Sequence, residues 1–159
     1  MAKTKEELVT LMSARRRISE AYRDAIINKI YEEYINQIER AILEDDVKPV
    51  SINRFDVKNL IDQLSDRDRI ETLRDIREAL PDPEYNDFSA AQGEVISLLI
   101  ADISEEEYPE YVSSPTPITI HDFDYDDVLD QLTALFEKNG YAPKVYADYN
   151  PKKIVISII

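Results

Sequence analysis

Cysteine and tryptophan are absent from this chain of 159 residues, and glycine and histidine are almost absent. Without cysteine there is no disulfide, no thiolate nucleophile and no cysteine-ligated metal site. Two isolated glycines, Gly93 and Gly140, exclude a glycine-rich phosphate loop and a dinucleotide-binding fingerprint. No apolar run approaches the roughly 20 residues that span a bilayer, and the N-terminal residues lack a secretory-signal pattern. We therefore expect no cofactor and no membrane contact.

Positive charge is also scarce. The chain has 33 acidic and 19 basic side chains, which gives a net charge of −14. Residues 102–130 contain ten Asp or Glu and neither Lys nor Arg. Because such a block repels phosphate, we expect no direct binding to nucleic acid, and basic protein partners are favoured. The alternative is that the block only keeps the protein soluble.

What the chain does have is apolar periodicity. Apolar residues, Leu11 and Met12 among them, recur mostly every three or four positions over 4–43. This pattern predicts one long arm helix of roughly 60 Å, or two helices joined near Ser13. Thr4 and Glu7 match the capping-box spacing at its start. Ile27, Tyr31 and Ile35 form a second apolar edge beside the main stripe. Since one small domain cannot cover both, this edge predicts self-association or a complex with other protein subunits.

The remaining patterns predict shorter elements. A loop is predicted after Pro49. Three further helices are predicted, and Ser65 is a good N-cap for the second of them. Those helices are predicted at about 56–64, 66–80 and 88–101. The sequence thus divides into a helical region 1–103, an acidic proline-rich linker 104–117 and a β-α-β-β unit 118–159. In the last unit the patterns predict strands at 118–120, 144–147 and 154–158 and a helix at 126–138. The expected fold class is α+β, mainly helical in its N-terminal region, with a small strand-helix-hairpin unit at the end.

Two groups of residues are candidates for protein contacts. Arg15, Arg16 and Arg17 form the one compact basic cluster in the sequence, and guanidinium groups pair well with carboxylates. Their alternative role is a solvated helix face. The second group is the acidic strip, residues 105–111, which either lies on the protein's own surface or is presented to a partner. The candidate contact residues of this strip are Glu105, Glu106, Glu107, Tyr108, Glu110 and Tyr111.

Catalytic and metal patterns are weak. Asp122, Asp124 and Asp126 resemble the start of a calcium loop, but its sixth position is Asp127 instead of Gly and its twelfth is Thr133 instead of Glu. We therefore expect no metal site there, and we place Asp126 and Asp127 in the first turn of a helix. No glycine-flanked serine supports a catalytic triad. The protein is not expected to be an enzyme.

The end of the chain carries one resemblance. The helix LTALFEKNGY of residues 132–141, the segment KVY of 144–146 and the segment KIVIS of 153–157 together resemble a closing unit of small proteins of tailed bacteriophages. The resemblance implies no specific activity. It favours a non-catalytic phage assembly or virion-associated structural subunit, in the virion or the bacterial host cytoplasm. Two alternatives stay open: an acidic inhibitor that mimics nucleic acid in a host enzyme, and a small metal-dependent hydrolase.

Overall fold

The fold is given by a computed structural model, which describes residues 2–44, 49–81, 87–105, 124–147 and 152–157. In that part of the chain it is a mainly helical α+β protein with a small antiparallel sheet, as the sequence predicts. Its elements, in chain order, are α1 (Lys5–Leu43), β1 (Val50–Asn53), α2 (Arg54–Asp62), α3 (Asp66–Glu78), α4 (Asp87–Glu105), α5 (Tyr125–Lys138), β2 (Lys144–Tyr146) and β3 (Lys153–Ile156).

Helix α1 is a single element of 39 residues, so the predicted arm helix is confirmed. At its start Thr4 Oγ1 accepts a hydrogen bond from the Glu7 backbone amide at 3.2 Å, which satisfies one of the free N–H groups of the first turn. Apart from Ile27, its buried side chains follow a spacing of four residues. They are Ala14, Ile18, Tyr22, Ile26, Ile30, Tyr34 and Ile38.

Contacts group the described residues into two compact units. The first unit contains 2–24, 64–81 and 87–105, and the second contains 25–44, 49–63, 124–147 and 152–157. The sequence predicts a different division, in which everything up to residue 103 is one region. The grouping differs because β1 pairs with β3, which brings residues 50–53 together with the end of the chain.

The first unit contains α3, α4 and α1 up to Asp24. Ser65 caps α3 as predicted, since its Oγ accepts a hydrogen bond from the Asp68 amide at 3.1 Å. The core of this unit consists of Ala14, Ile18, Tyr22, Leu73, Val95, Ile96, Leu99 and Ile103. Leu98 of α4 lies outside this core and is 55% exposed.

The second unit is built on a three-stranded sheet in the order β1-β3-β2, with both pairs antiparallel. The sequence predicts a loop where β1 lies, and this prediction is wrong. Ile52 of β1 is fully buried opposite Ile154 of β3, so burial of one alternating face stabilises the strand. Asn53 then ends β1 and caps α2, because its Oδ1 accepts a hydrogen bond from the Asp56 amide at 2.8 Å.

The helix and hairpin at the end of the second unit form as predicted. The inner side of α5 consists of Val128, Leu129, Leu132 and Phe136, all buried. Gly140 follows the helix with a φ of 90°, a left-handed conformation that glycine adopts without strain. Strands β2 and β3 pair through Val145 and Ile154. The predicted strand 118–120 and the predicted turn 148–151 lie outside the described residues.

Candidate functional site

The outward side of α1 in the first unit carries the most distinctive surface of the described residues. Val9, Met12 and Leu8 are 53%, 70% and 48% exposed, although they are large apolar side chains in the first turns of a helix. The opposite side of the same turns is buried through Ala14 and Ile18. The helix therefore has an apolar inner side and a partly apolar outer side.

Val9 and Met12 belong to an open groove of about 530 Å³, which we call the arginine groove. Its walls come from α1 and from Phe88 near the start of α4, which is half-buried. Each α1 residue of the lining lies three or four positions from another one, so their side chains share one broad side of the helix. The lining residues are Val9, Met12, Ser13, Arg16, Arg17, Glu20 and Phe88.

The charge of the arginine groove is mainly positive. Arg15, Arg16 and Arg17 are all exposed, and none of them forms an ion pair within the described part of the chain. Arg16 and Arg17 line the groove, whereas Arg15 does not. Glu20 is the one carboxylate in the lining. Two guanidinium groups beside exposed apolar side chains can bind a carboxylate-bearing segment that also has apolar or aromatic side chains.

The predicted docking edge on α1 is used inside the protein, which corrects the sequence interpretation. Ile27 is 5% exposed and belongs to the core of the second unit. Tyr31 packs its ring 4.8 Å from the ring of Phe136, and Tyr141 packs against the same Phe136 ring at 5.4 Å. Ile35 is half-buried. Within this edge Ile27 is therefore core and Tyr31 packs on the protein's own helix α5, which the sequence pattern of α1 alone does not reveal.

The acidic strip lies almost wholly outside the described residues. Glu105 is the last residue of α4, so the helix includes the first two residues of the predicted linker. Glu106, Glu107, Tyr108, Glu110 and Tyr111 are not among the described residues, and neither is His121.

The aspartates that resemble a calcium loop have a structural role where they are described. Asp124 caps α5, because its Oδ1 accepts hydrogen bonds from the amides of Asp126 and Asp127 at 3.1 and 3.4 Å. Asp126 and Asp127 lie in the first turn, as predicted, where negative charge stabilises a helix. Tyr125 is the first residue of α5, and the Arg54 guanidinium lies 5.9 Å from its ring centre. The described residues contain no cluster of three or more His, Asp or Glu that could hold a metal ion.

A second groove in the first unit is larger but less suited to binding. It has about 640 Å³ and lies at the start of α1 and of α4. Four of its lining residues are the carboxylates Glu6, Glu7, Asp87 and Glu94, and Lys3 Nζ lies 3.6 Å from Glu94. Glu6, Glu7 and Asp87 lie in the first turns of their helices, where they stabilise the helix ends.

One buried polar group lacks a partner. The hydroxyl of Tyr34, in the second unit, forms no hydrogen bond in the described structure, although the residue is 3% exposed. Burial raises the pKa of Tyr34 well above its ordinary value, and the nearby carboxylates Asp56 and Glu33 raise it further.

Sequence patterns missed Met12 and Phe88 as surface residues. The sequence interpretation places Met12 in the buried stripe of α1, next to Leu11. Adjacent residues in a helix point about 100° apart, so both cannot lie on one narrow stripe. A buried stripe defined only by Ala14, Ile18 and Tyr22 does not include Met12.

Comparisons with protein-family models, with curated proteins and with solved structures found no match for this chain. Among the described residues, no helix is long and apolar enough to cross a membrane.

Proposed function

We propose that this protein is a non-catalytic structural subunit that acts by docking other protein subunits during the assembly of tailed-phage particles. The observation that carries the proposal is the arginine groove, where exposed Val9 and Met12 lie beside Arg16 and Arg17. Methionine, arginine and aromatic residues are the types enriched at protein interfaces. A complementary surface that covers exposed apolar side chains and pairs with free guanidinium groups stabilises the complex through both contacts.

The phage context of the proposal is supported by the resemblance of the closing unit, in which α5, Gly140 and the β2-β3 ribbon follow one another. Such a subunit would be found in the virion or in the cytoplasm of the bacterial host. The competing hypothesis of an acidic inhibitor depends on residues 102–130, most of which lie outside the described part of the chain.

Light scattering behind a sizing column tests docking directly. We expect the full chain to form complexes larger than its 18.4 kDa mass, either with itself or with a subunit of the particle. Val9→Glu and Met12→Glu should weaken these complexes, because each substitution places a charge on the apolar part of the arginine groove. Leu98→Glu is the matched control, since Leu98 is 55% exposed in the same unit but does not line the groove.

Mass spectrometry of purified phage particles tests the context. Presence of the chain in particles or in their assembly intermediates would support the proposal. A monomer at all concentrations, absent from particles and assembly intermediates, would contradict it. Capture of a host nucleic-acid enzyme, displaced by nucleic acid, would favour the inhibitor instead.

A further inference from the structure

We infer that the arginine groove binds the acidic strip, residues 105–111, of a second copy of this chain, so that copies associate head to tail. This inference rests on the proposed assembly function and names the partner of its docking surface.

Charge complementarity is the first step. The acidic strip has four glutamates within seven residues, and the groove has Arg16 and Arg17, with Arg15 next to them. Two other arginines of the first unit have partners within it: Arg67 pairs with Glu71 at 3.0 Å, and Arg77 donates a hydrogen bond to Ser97 at 3.2 Å. Because the cluster Arg15–Arg17 has no such carboxylate partner within the described residues, it has the capacity to bind an acidic segment.

Apolar complementarity is the second step. Tyr108 and Tyr111 alternate with the glutamates of the acidic strip. A tyrosine ring packs well against a methionine thioether and against an aromatic ring, and a guanidinium group binds the ring face. The groove offers all three through Met12, Phe88 and Arg16. A purely anionic partner, such as a phosphate chain, would leave Val9 and Met12 uncovered and would approach Glu20.

The sign of the charges also decides how two copies meet. If the groove side of α1 in one copy packed on the same side of α1 in another, Arg16 and Arg17 of the two copies would face each other, which is unfavourable. A contact between the groove of one copy and the acidic strip of the next joins two different surfaces. When two copies make this contact once, in one direction, it leaves a free groove at one end and a free strip at the other, so it continues into a ring or a filament.

A peptide measures the contact alone. The probe is a fluorescein-labelled peptide of residues 103–113, ISEEEYPEYVS, titrated onto the full chain at 50 mM KCl. We expect saturable binding that weakens by about tenfold or more with Arg16→Glu/Arg17→Glu, and that also weakens as KCl rises to about 500 mM. The control Arg74→Glu reverses an exposed arginine on α3 outside the groove, and it should change nothing. Absence of binding, or equal loss in the control, would overturn the inference.

A mixing experiment on the full chain tests the head-to-tail geometry. The groove variant is Arg16→Glu/Arg17→Glu, and the strip variant is Glu106→Lys/Glu107→Lys/Glu110→Lys. Each variant alone should sediment as a monomer while the wild type forms larger species. Mixed, they should form a one-to-one complex that does not grow, because one intact groove meets one intact strip. Circular dichroism confirms that both variants keep their helices.

The outcomes separate the inference from the proposed function. Wild-type complexes that survive in both variants would overturn the head-to-tail contact and leave the assembly function standing. Another outcome is that the wild type stays monomeric and only the strip variant binds the peptide. That outcome would show that the strip occupies the groove of its own chain. A wild type without complexes of any kind would contradict both.

Discussion

The hydroxyl of Tyr34 is buried without a hydrogen-bond partner among the described residues, an uncommon situation for a polar group. A buried hydroxyl that has lost water and gained no acceptor costs roughly 1–3 kcal/mol. Replacement by phenylalanine removes the oxygen and keeps the ring that fills the core. We therefore expect Tyr34→Phe to leave the free energy of unfolding unchanged or to raise it by about 1 kcal/mol, measured by urea denaturation. A loss above about 1 kcal/mol would mean that the hydroxyl has a partner.

The raised pKa of Tyr34 gives the same residue a pH signature. The unfolded chain ionises this tyrosine near its ordinary pKa of about 10, whereas burial, Asp56 and Glu33 keep it neutral in the folded chain. Its contribution to stability is therefore complete below pH 10 and is lost as the pH rises further, by up to about 1.4 kcal/mol per pH unit. We expect the unfolding free energy of the wild type to fall more steeply between pH 9 and 11 than that of Tyr34→Phe. Parallel curves would contradict the assignment.

Two glycines with different backbone conformations predict opposite effects of one substitution. Gly140 has a φ of 90°, and Gly93 lies in the interior of α4; a Cβ atom at either would meet nothing within 4 Å. The sign of each stability change therefore depends on the backbone conformation and not on steric clashes. Gly140→Ala should cost about 1 kcal/mol, because alanine disfavours the left-handed conformation. Gly93→Ala should stabilise by about 0.5–1 kcal/mol through helix propensity. Urea denaturation of the two variants measures both signs, and equal signs would refute the argument.

At the scale of elements, α1 shows how far a periodic pattern predicts structure. Its extent and its Thr4 cap follow from the sequence because both depend on local spacing. The packing of Tyr31 on Phe136 does not, since it depends on α5, about a hundred residues away in the sequence. Strand β1 was missed for the same reason: four residues with Ile52 as the one buried position acquire a strand conformation only by pairing with β3. The groove was missed in part because Phe88 reaches it from another helix.

Two isoleucines of α1, one buried and one exposed, test how far burial depends on contacts that the sequence pattern does not reveal. Ile27 is 5% exposed and Ile42 is 53% exposed, and both belong to the second unit. Ile27→Ala should cost about 2–4 kcal/mol, because it leaves a cavity in the core. Ile42→Ala should change the free energy of unfolding by no more than about 0.5 kcal/mol. Helix propensity shifts equally in both, so the difference in urea denaturation reports burial alone. Similar small effects would restore Ile27 as a surface residue available for docking.

At the scale of the whole molecule, a net charge of −14 makes stability and association respond to salt in opposite directions. Carboxylates crowded in one chain repel each other, so screening should stabilise the folded state. The same screening weakens attraction between the arginine groove and an acidic strip. We expect the melting temperature to rise by about 2–4 °C, equivalent to roughly 1 kcal/mol, as KCl increases from 20 to 500 mM, while complexes dissociate.

Neutralising the acidic strip should reproduce both effects without salt. With Glu105, Glu106, Glu107 and Glu110 replaced by glutamine, we expect a higher melting temperature at 20 mM KCl, a smaller further gain from salt and a slower association rate. A substitution that damaged the fold would lower stability and association together, so opposite changes identify a docking surface. Scanning calorimetry and stopped-flow mixing measure the two quantities on the same sample. If the melting temperature rises but association is unchanged, the strip contributes only to solubility, and docking depends on the apolar part of the arginine groove.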